Sequence, residues 1–150
     1  MLLVCSAGGH LLQLYLLADA WHGRSHAWVT LDREDARSLL SGETVFCAHW
    51  PTTRNIPNLI RNLRLAWTLI RGLRPRVMVT TGAAIAVPFA WVARMLGTKV
   101  VYVESITRIE QPSLSCRLVR PVAHRIYVQW PELVAAVPRA RYSGSVLDQA

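Results

Sequence analysis

The sequence is poor in cysteine, nearly without lysine, and has no long apolar run free of turn-forming residues. Each shortage excludes something. Cys5, Cys47 and Cys116 are odd in number, far apart and set in apolar stretches, which predicts reduced, buried thiols and no zinc site. No basic residue precedes the first apolar run, and Gly8-Gly9-His10 interrupts it, so no secretory signal is expected there. The charge-free stretch 77–93 carries Thr80, Thr81, Gly82 and Pro88, and reads as strand, turn and helix rather than a membrane span. Acidic residues are scarce, 9 against 17 basic ones, and 16 of the 17 are arginine. Such a surplus suits phosphate groups, nucleic acid or an anionic membrane. No nucleic-acid module accompanies it and no aromatics are interleaved with it, so nucleic acid is not expected as a partner.

What is present begins with Met1–Leu12, MLLVCSAGGHLL. Five apolar residues make a buried strand, Ser6-Ala7-Gly8-Gly9 a small-residue turn, and His10 the start of a helical pattern that runs to Trp21. Backbone N–H groups in such a turn approach an anion without a Cβ in the way, and the helix N-terminus adds its own unpaired donors. A phosphate, a diphosphate or a developing oxyanion is the expected guest. His10 stands at the mouth, where an imidazole can take a proton from a sugar hydroxyl. The bland alternative, a tight turn with a polar helix start, stays open. A dinucleotide fingerprint would want a third glycine, and Leu11, Leu12 and Gln13 supply none.

With 52% apolar residues and 150 positions, the chain predicts one ordered domain. Ala27–Leu31 reads as the second strand. Asp32 falls where a ribose-binding acid sits in dinucleotide folds, but an N-cap for the helix to Leu40 explains it as well. Strand 44–48 leads into His49-Trp50-Pro51-Thr52-Thr53-Arg54-Asn55, a polar loop suited to an anionic head group. Helix Ile56–Leu73 is expected to bury Ile56, Leu59, Leu63, Ala66, Ile70 and Leu73. Arg61, Arg64, Thr68 and Arg71 lie opposite, with Leu65 and Trp67 at the borders. That is the pattern of a membrane-surface helix or of a solvated basic face.

Strand 76–80 then precedes a second small turn, Thr81-Gly82-Ala83-Ala84, and a helix to Leu96. Lys99–Val103 ends at Glu104-Ser105, at the ligand-facing end of an open parallel sheet. Glu104 there either binds sugar hydroxyls or pairs with an arginine. A short helix 114–119, strand 125–129, a helical turn 131–137 and a strand-like run 140–146 complete the order. About six βα repeats with short connections predict a Rossmann-like parallel sheet flanked by helices, which makes all these turns neighbours in space.

Taken together, SAGGHLLQL, PTTRNIPNLIRN, TTGAAIAVPFAWVARMLG, VVYVESITRI and PSLSCRLVRPVA resemble the PssD-like bacterial polysaccharide proteins. Those are similar to the membrane-recruiting subunit of the eukaryotic enzyme that adds the second N-acetylglucosamine to dolichol diphosphate. The resemblance spans Met1 to about Val146 and implies a single N-terminal-type GT-B domain over 1–150, ending near the interdomain linker. It implies no cofactor or metal, an inverting transfer from a UDP-sugar to a polyprenyl-diphosphate-linked saccharide in capsule or exopolysaccharide assembly, and inactivity alone. A separate donor-binding subunit and the anionic cytoplasmic face of the bacterial inner membrane are the implied partners. By analogy Ser6, Gly8 and Gly9 face the diphosphate and His10 is the candidate base. Thr52, Thr53, Arg54 and Asn55 hold the acceptor head, with Gly82 and Ala83 beside it, and Glu104 and Arg108 line the cleft. Arg61, Arg64, Leu65, Trp67 and Arg71 rest on the membrane. A non-catalytic adaptor and a nucleotide-binding Rossmann enzyme are the alternatives.

Overall fold

The computed structural model of the chain describes residues 1–149. Its strands are β1 Leu2–Val4, β2 Ala27–Leu31, β3 Val45–Ala48, β4 Val77–Thr80, β5 Lys99–Val103, β6 Arg125–Val128 and β7 Ala140–Tyr142. All pair in parallel, in the order β3-β2-β1-β4-β5-β6-β7. The strand-like run expected over 140–146 is β7, shorter than predicted. Between them run α1 Gly9–Leu16, α2 Ala18–Trp21, α3 Glu34–Leu39, α4 Ile56–Leu73, α5 Ala86–Met95, α6 Leu114–Val119 and α7 Leu133–Ala136.

Alternation along the strands divides the core. Leu2, Val4, Val29, Met78, Val100, Tyr102, Ile126 and Val128 pack with buried residues of α4, α5, α6 and α7. Leu3, Cys5, Trp28, Val79 and Val103 face the other way, with Leu11, Leu14, Trp21, Ala36 and Leu40 from α1 to α3 and their flanks. The chain turns outward in opposite directions from β1, to β2 and β3 on one side and to β4 on the other. The gap between the ends of β1 and β4 is therefore the switch point where open α/β sheets bind ligands.

Four local expectations are corrected. The helix 10–21 breaks at Leu17, and the Trp21 indole N–H turns back to cap the Leu14 carbonyl at 3.0 Å. Arg33, not Asp32, occupies the N-cap of α3, and Asp32 instead takes the Arg37 guanidinium with both oxygens, at 2.7 and 2.8 Å. Cys47 is exposed on the edge strand β3, whereas Cys5 and Cys116 are buried and burial pushes both thiols up to about 12.

The fourth concerns α4, whose ends fall where the sequence predicts but whose inward face does not. Its buried residues are Asn58, Asn62, Ala66 and Ile70, with Leu65 and Leu69 half-buried against the core. Ile56, Leu59, Leu63 and Leu73, expected inside, are 71%, 41%, 37% and 46% exposed. At 100° per residue the helix is rolled roughly 70° from the orientation its leucines predict. Hydrogen bonding decides the matter. Asn62 donates Nδ2–H to the His49 carbonyl at 3.0 Å and accepts the His49 N–H at 2.9 Å; Asn58 donates to the Pro51 carbonyl at 3.0 Å. Asn55 caps the helix by accepting the Asn58 N–H at 2.9 Å. Turning the leucines inward would leave those loop groups unpaired, at about 1–3 kcal/mol each. Leu65, expected on the membrane side, is thereby drawn to the core.

Candidate functional site

The turn after β1 and the turn after β4 meet at the switch point, and His10 joins them. Its Nδ1 lies 2.8 Å from the Thr81 carbonyl, and the Thr81 hydroxyl donates to the His10 carbonyl at 2.7 Å. A carbonyl can only accept, so Nδ1 carries the proton and Nε2 presents its lone pair. The imidazole is thus fixed in rotation and tautomer by a residue 71 positions away.

The two turns are built differently. Gly8 and Gly9 are exposed, and a Cβ at either would meet nothing. Helix geometry leaves the N–H groups of Gly9, His10 and Leu11 without intrahelical acceptors. The Gly8 N–H, expected to face a diphosphate, is occupied by the Asp35 carboxylate of α3. The anion corner is therefore narrower than the sequence implies and begins at Gly9. Ser6 is half-buried and turns its hydroxyl to the Ala7 carbonyl.

Gly82, by contrast, is buried at φ 103°, and a Cβ there would lie 2.7 Å from the Tyr102 hydroxyl and 3.7 Å from His10 Cε1. Ala83 follows at φ 63°, a left-handed conformation uncommon outside glycine.

Glu104 does not line the cleft: its side chain is wholly buried. Its carboxylate accepts the Ser105 N–H at 2.8 Å, the Ser113 N–H at 2.9 Å, the Ser113 hydroxyl at 3.1 Å and, more weakly, the Tyr102 hydroxyl at 3.4 Å. Ser113 in turn accepts the Cys116 N–H and so caps α6. Burial and the Glu104 carboxylate raise the Tyr102 phenol above its ordinary range, so that hydroxyl stays protonated, 3.1 Å from Ser113 Oγ. Glu104 is thus a brace that fixes where α6 starts. Gln13, buried on α1, donates to the Glu104 carbonyl at 2.8 Å and accepts the Ile106 N–H at 3.1 Å, tying the first helix to the loop after β5. Sequence reading passed over Gln13, Asn58 and Asn62; an amide at an otherwise apolar helix position was the available signal.

Thr53, Arg54 and Arg108 are exposed, and Arg54 adopts φ 52° at the tip of the loop before α4. Thr52 and Asn55 are half-buried. Thr52, Arg54 and Asn55 border a groove of about 470 Å³ that continues between α4, α5 and α6.

The pinned histidine, the open helix N-terminus and the arginine-tipped loop all follow the C-terminal ends of parallel strands of one sheet. The Alg14-like oligosaccharide biosynthesis family model matches residues 44–146, more than half of the sequence, and takes in that loop, α4 and the turn after β4. The chain belongs to this family. Relatives named UDP-N-acetylglucosamine transferase subunit ALG14 include that of Yarrowia lipolytica, 36% identical over 53% of this chain and 40% of its own. The Debaryomyces hansenii protein is 29% identical over 74% of this chain and 48% of its own. The Mus musculus protein is 26% identical over 98% of this chain and 82% of its own. The chain thus spans about half the length of the two yeast relatives. Among solved structures, Acinetobacter baumannii MurG superposes with a TM-score of 0.75 at 16% identity, over 95% of this chain and 45% of that one. A UDP-N-acetylglucosamine 2-epimerase from Rickettsia bellii does so with 0.75 at 10% identity, over 99% and 45%. These likenesses place the fold: a Rossmann-like sheet of the N-terminal GT-B type. Within PTTRNIPNLIRN, inside the matched region, the asparagines hold loop and helix together.

Proposed function

We propose that this chain is the membrane-docking subunit of a two-component transferase. It recruits a separate donor-binding subunit, which carries the UDP-sugar, to a surface where a polyprenyl-diphosphate-linked saccharide waits. The observation that carries this is the outer face of α4. Ile56, Ile60, Leu63 and Trp67 are 71%, 45%, 37% and 40% exposed on one side of the helix. Arg61, Arg64 and Arg71 lie beside them, with the Arg71 guanidinium 5.6 Å from the Trp67 ring centre. Each large apolar side chain left in water forgoes about 1.5–3 kcal/mol of burial, so such a patch implies a covering phase. Apolar side chains interleaved with arginines fit an anionic bilayer interface. No helix among the described residues is long and apolar enough to cross a membrane, which is compatible with docking from one side. The name transferase subunit borne by the relatives supports the two-component part of this reading. The bacterial inner membrane and capsule or exopolysaccharide assembly are the setting that the PssD-like resemblance suggests.

Sedimentation with phosphatidylglycerol and phosphatidylcholine vesicles tests the docking. Binding is expected with the anionic vesicles and to fall at least tenfold in Ile60→Asp. Equal binding of that variant sinks the reading.

A second reading gives the chain a catalytic share, and the pinned His10 favours it. Nε2 is free to accept a proton from an acceptor hydroxyl while the N–H groups of Gly9, His10 and Leu11 hold a diphosphate oxygen. Arg54, Thr52 and Thr53 would grip the same head group, and Arg108 would face the donor half. No step here asks for a metal. A membrane assay with a lipid-diphosphate sugar, a UDP-sugar panel and this chain, alone and with its donor subunit, separates the readings. Product only from the pair is expected. If His10→Ala leaves the pair fully active, the chain is an adaptor and His10 is not a base. Dinucleotide binding loses its acidic residue, since Asp32 is committed to Arg37.

A further inference from the structure

The groove beside Arg54 shares Ile56 with the outer face of α4 and runs from there between α4, α5 and α6. Ile56 and Leu59 come from α4, Ala84 and Val87 from the turn before α5 and from α5 itself, and Leu114 and Leu118 from α6. Leu114 is 70% exposed and Leu118 45%, so the apolar wall continues outward past the groove. Trp91 stands over the same edge, donating its indole N–H to the Leu118 carbonyl at 3.1 Å. The groove's one charged lining residue, Arg54, stands with Thr52 and Asn55 at the loop before α4; the other polar lining residue is Ser115 on α6. The groove wall reaches the turn after β4 through Ala84, two residues on from Gly82, where a Cβ would meet Tyr102 and His10. The other side opens past Ile56 and Leu59 onto the apolar and arginine-bearing face of α4.

A surface that is apolar along its length, cationic at one end and continuous with a bilayer-facing helix matches one kind of molecule. It is a long unbranched or isoprenoid chain with an anionic head. The geometry points to this groove as the seat of the first isoprenoid units of the acceptor, with the diphosphate at Arg54 and the N–H groups of Gly9, His10 and Leu11, and the remaining chain passing along α4 into the bilayer. This rests on the acceptor reading above and adds a place where the tail, as distinct from the head, is recognised. The Glu104–Ser113 brace then acquires a purpose, since it sets the position of α6 and therefore of one wall.

Binding of geranylgeranyl diphosphate, inorganic diphosphate and phosphatidic acid to the folded chain, followed by tryptophan fluorescence or calorimetry, tests it. Leu114→Gln with Leu118→Gln makes the wall polar, Ser115→Phe fills the groove, and Arg54→Ala removes the cation. Geranylgeranyl diphosphate is expected to bind at least tenfold more tightly than inorganic diphosphate, and both groove variants to erase that difference while vesicle binding stays intact. Arg54→Ala is expected to weaken both diphosphates alike. If the folded groove variants bind geranylgeranyl diphosphate like the parent chain, the groove is not the tail site, whatever Arg54→Ala does. Phosphatidic acid competing as well as geranylgeranyl diphosphate, or groove variants that change only self-association in sedimentation velocity, equally overturns it. Loss in Arg54→Ala with silent groove variants leaves the head-group reading standing without this one.

Discussion

The two small-residue turns at the switch point read almost alike, Ser6-Ala7-Gly8-Gly9 and Thr81-Gly82-Ala83-Ala84, yet they do opposite things. The first is open: its glycines are exposed and a side chain at either would touch nothing. The second is closed: Gly82 is buried against the Tyr102 hydroxyl, and Thr81 clasps His10 from below. One turn is a mouth and the other a clamp. Glycine is needed in the first for the approach of a ligand, and in the second for the approach of the protein to itself.

Substitutions that treat the two turns identically should separate them. The largest effect is expected at Gly82→Ala, which places a Cβ 2.7 Å from the Tyr102 oxygen at a φ of 103°. It should cost about 2–4 kcal/mol by denaturant unfolding, from strain and the displaced hydroxyl together. A loss under ~0.5 kcal/mol would show that the clamp is loose. Next comes Glu104→Gln. Its amide can satisfy at most part of the four donors the carboxylate now accepts, and a loss of about 1–3 kcal/mol is expected. Thermal melting of Glu104→Gln beside Ser113→Ala, with near-additive losses, would argue against a shared brace.

Gly9→Ala is the counterpart in the open turn. Stability should move by no more than about 0.5 kcal/mol, while affinity for a diphosphate probe falls several-fold. Equal loss of stability and affinity would erase the distinction between mouth and clamp. Smallest is a pH effect far from both turns. The His124 Nδ1 accepts the Val100 N–H at 3.0 Å; burial, with Arg94, Lys99 and Arg125 nearby, lowers its pKa from the ordinary 6.5. The unfolded chain therefore takes up that proton first, and stability should decline as pH falls below about 6.5 toward the lowered folded value. Urea midpoints between pH 7.5 and 5 should shift less in His124→Asn than in the parent chain.

The order of elements was legible because parallel β/α units announce themselves through short apolar strands and amphipathic helices with clear breaks. Ile56–Leu73, Lys99–Val103 and Leu114–Val119 have the boundaries that periodicity predicts. Which way α4 faces was not legible from hydropathy, because two asparagines outweigh four larger apolar residues once the loop before the helix needs partners. The same physics moved Glu104 from cleft to brace. A carboxylate at the end of a strand looks available until the serine nine residues on is seen to turn back and claim it. His10 was placed at the mouth from the turn alone, but its tautomer depends on a carbonyl that nothing local to His10 reveals. Long-range hydrogen bonds, rather than local pattern, account for these misses.

The placement of β1 between β2 and β4 has a consequence for how the chain acquires its site. The glycine mouth draws only on residues up to Asp35: the β1–β2 pair beneath it and the carboxylate that takes the Gly8 N–H. His10 must wait for Thr81, seventy-one positions later, before anything holds its ring. The part of the molecule that admits a ligand is therefore encoded within the first 35 residues, and the part that orients the histidine only across the sheet.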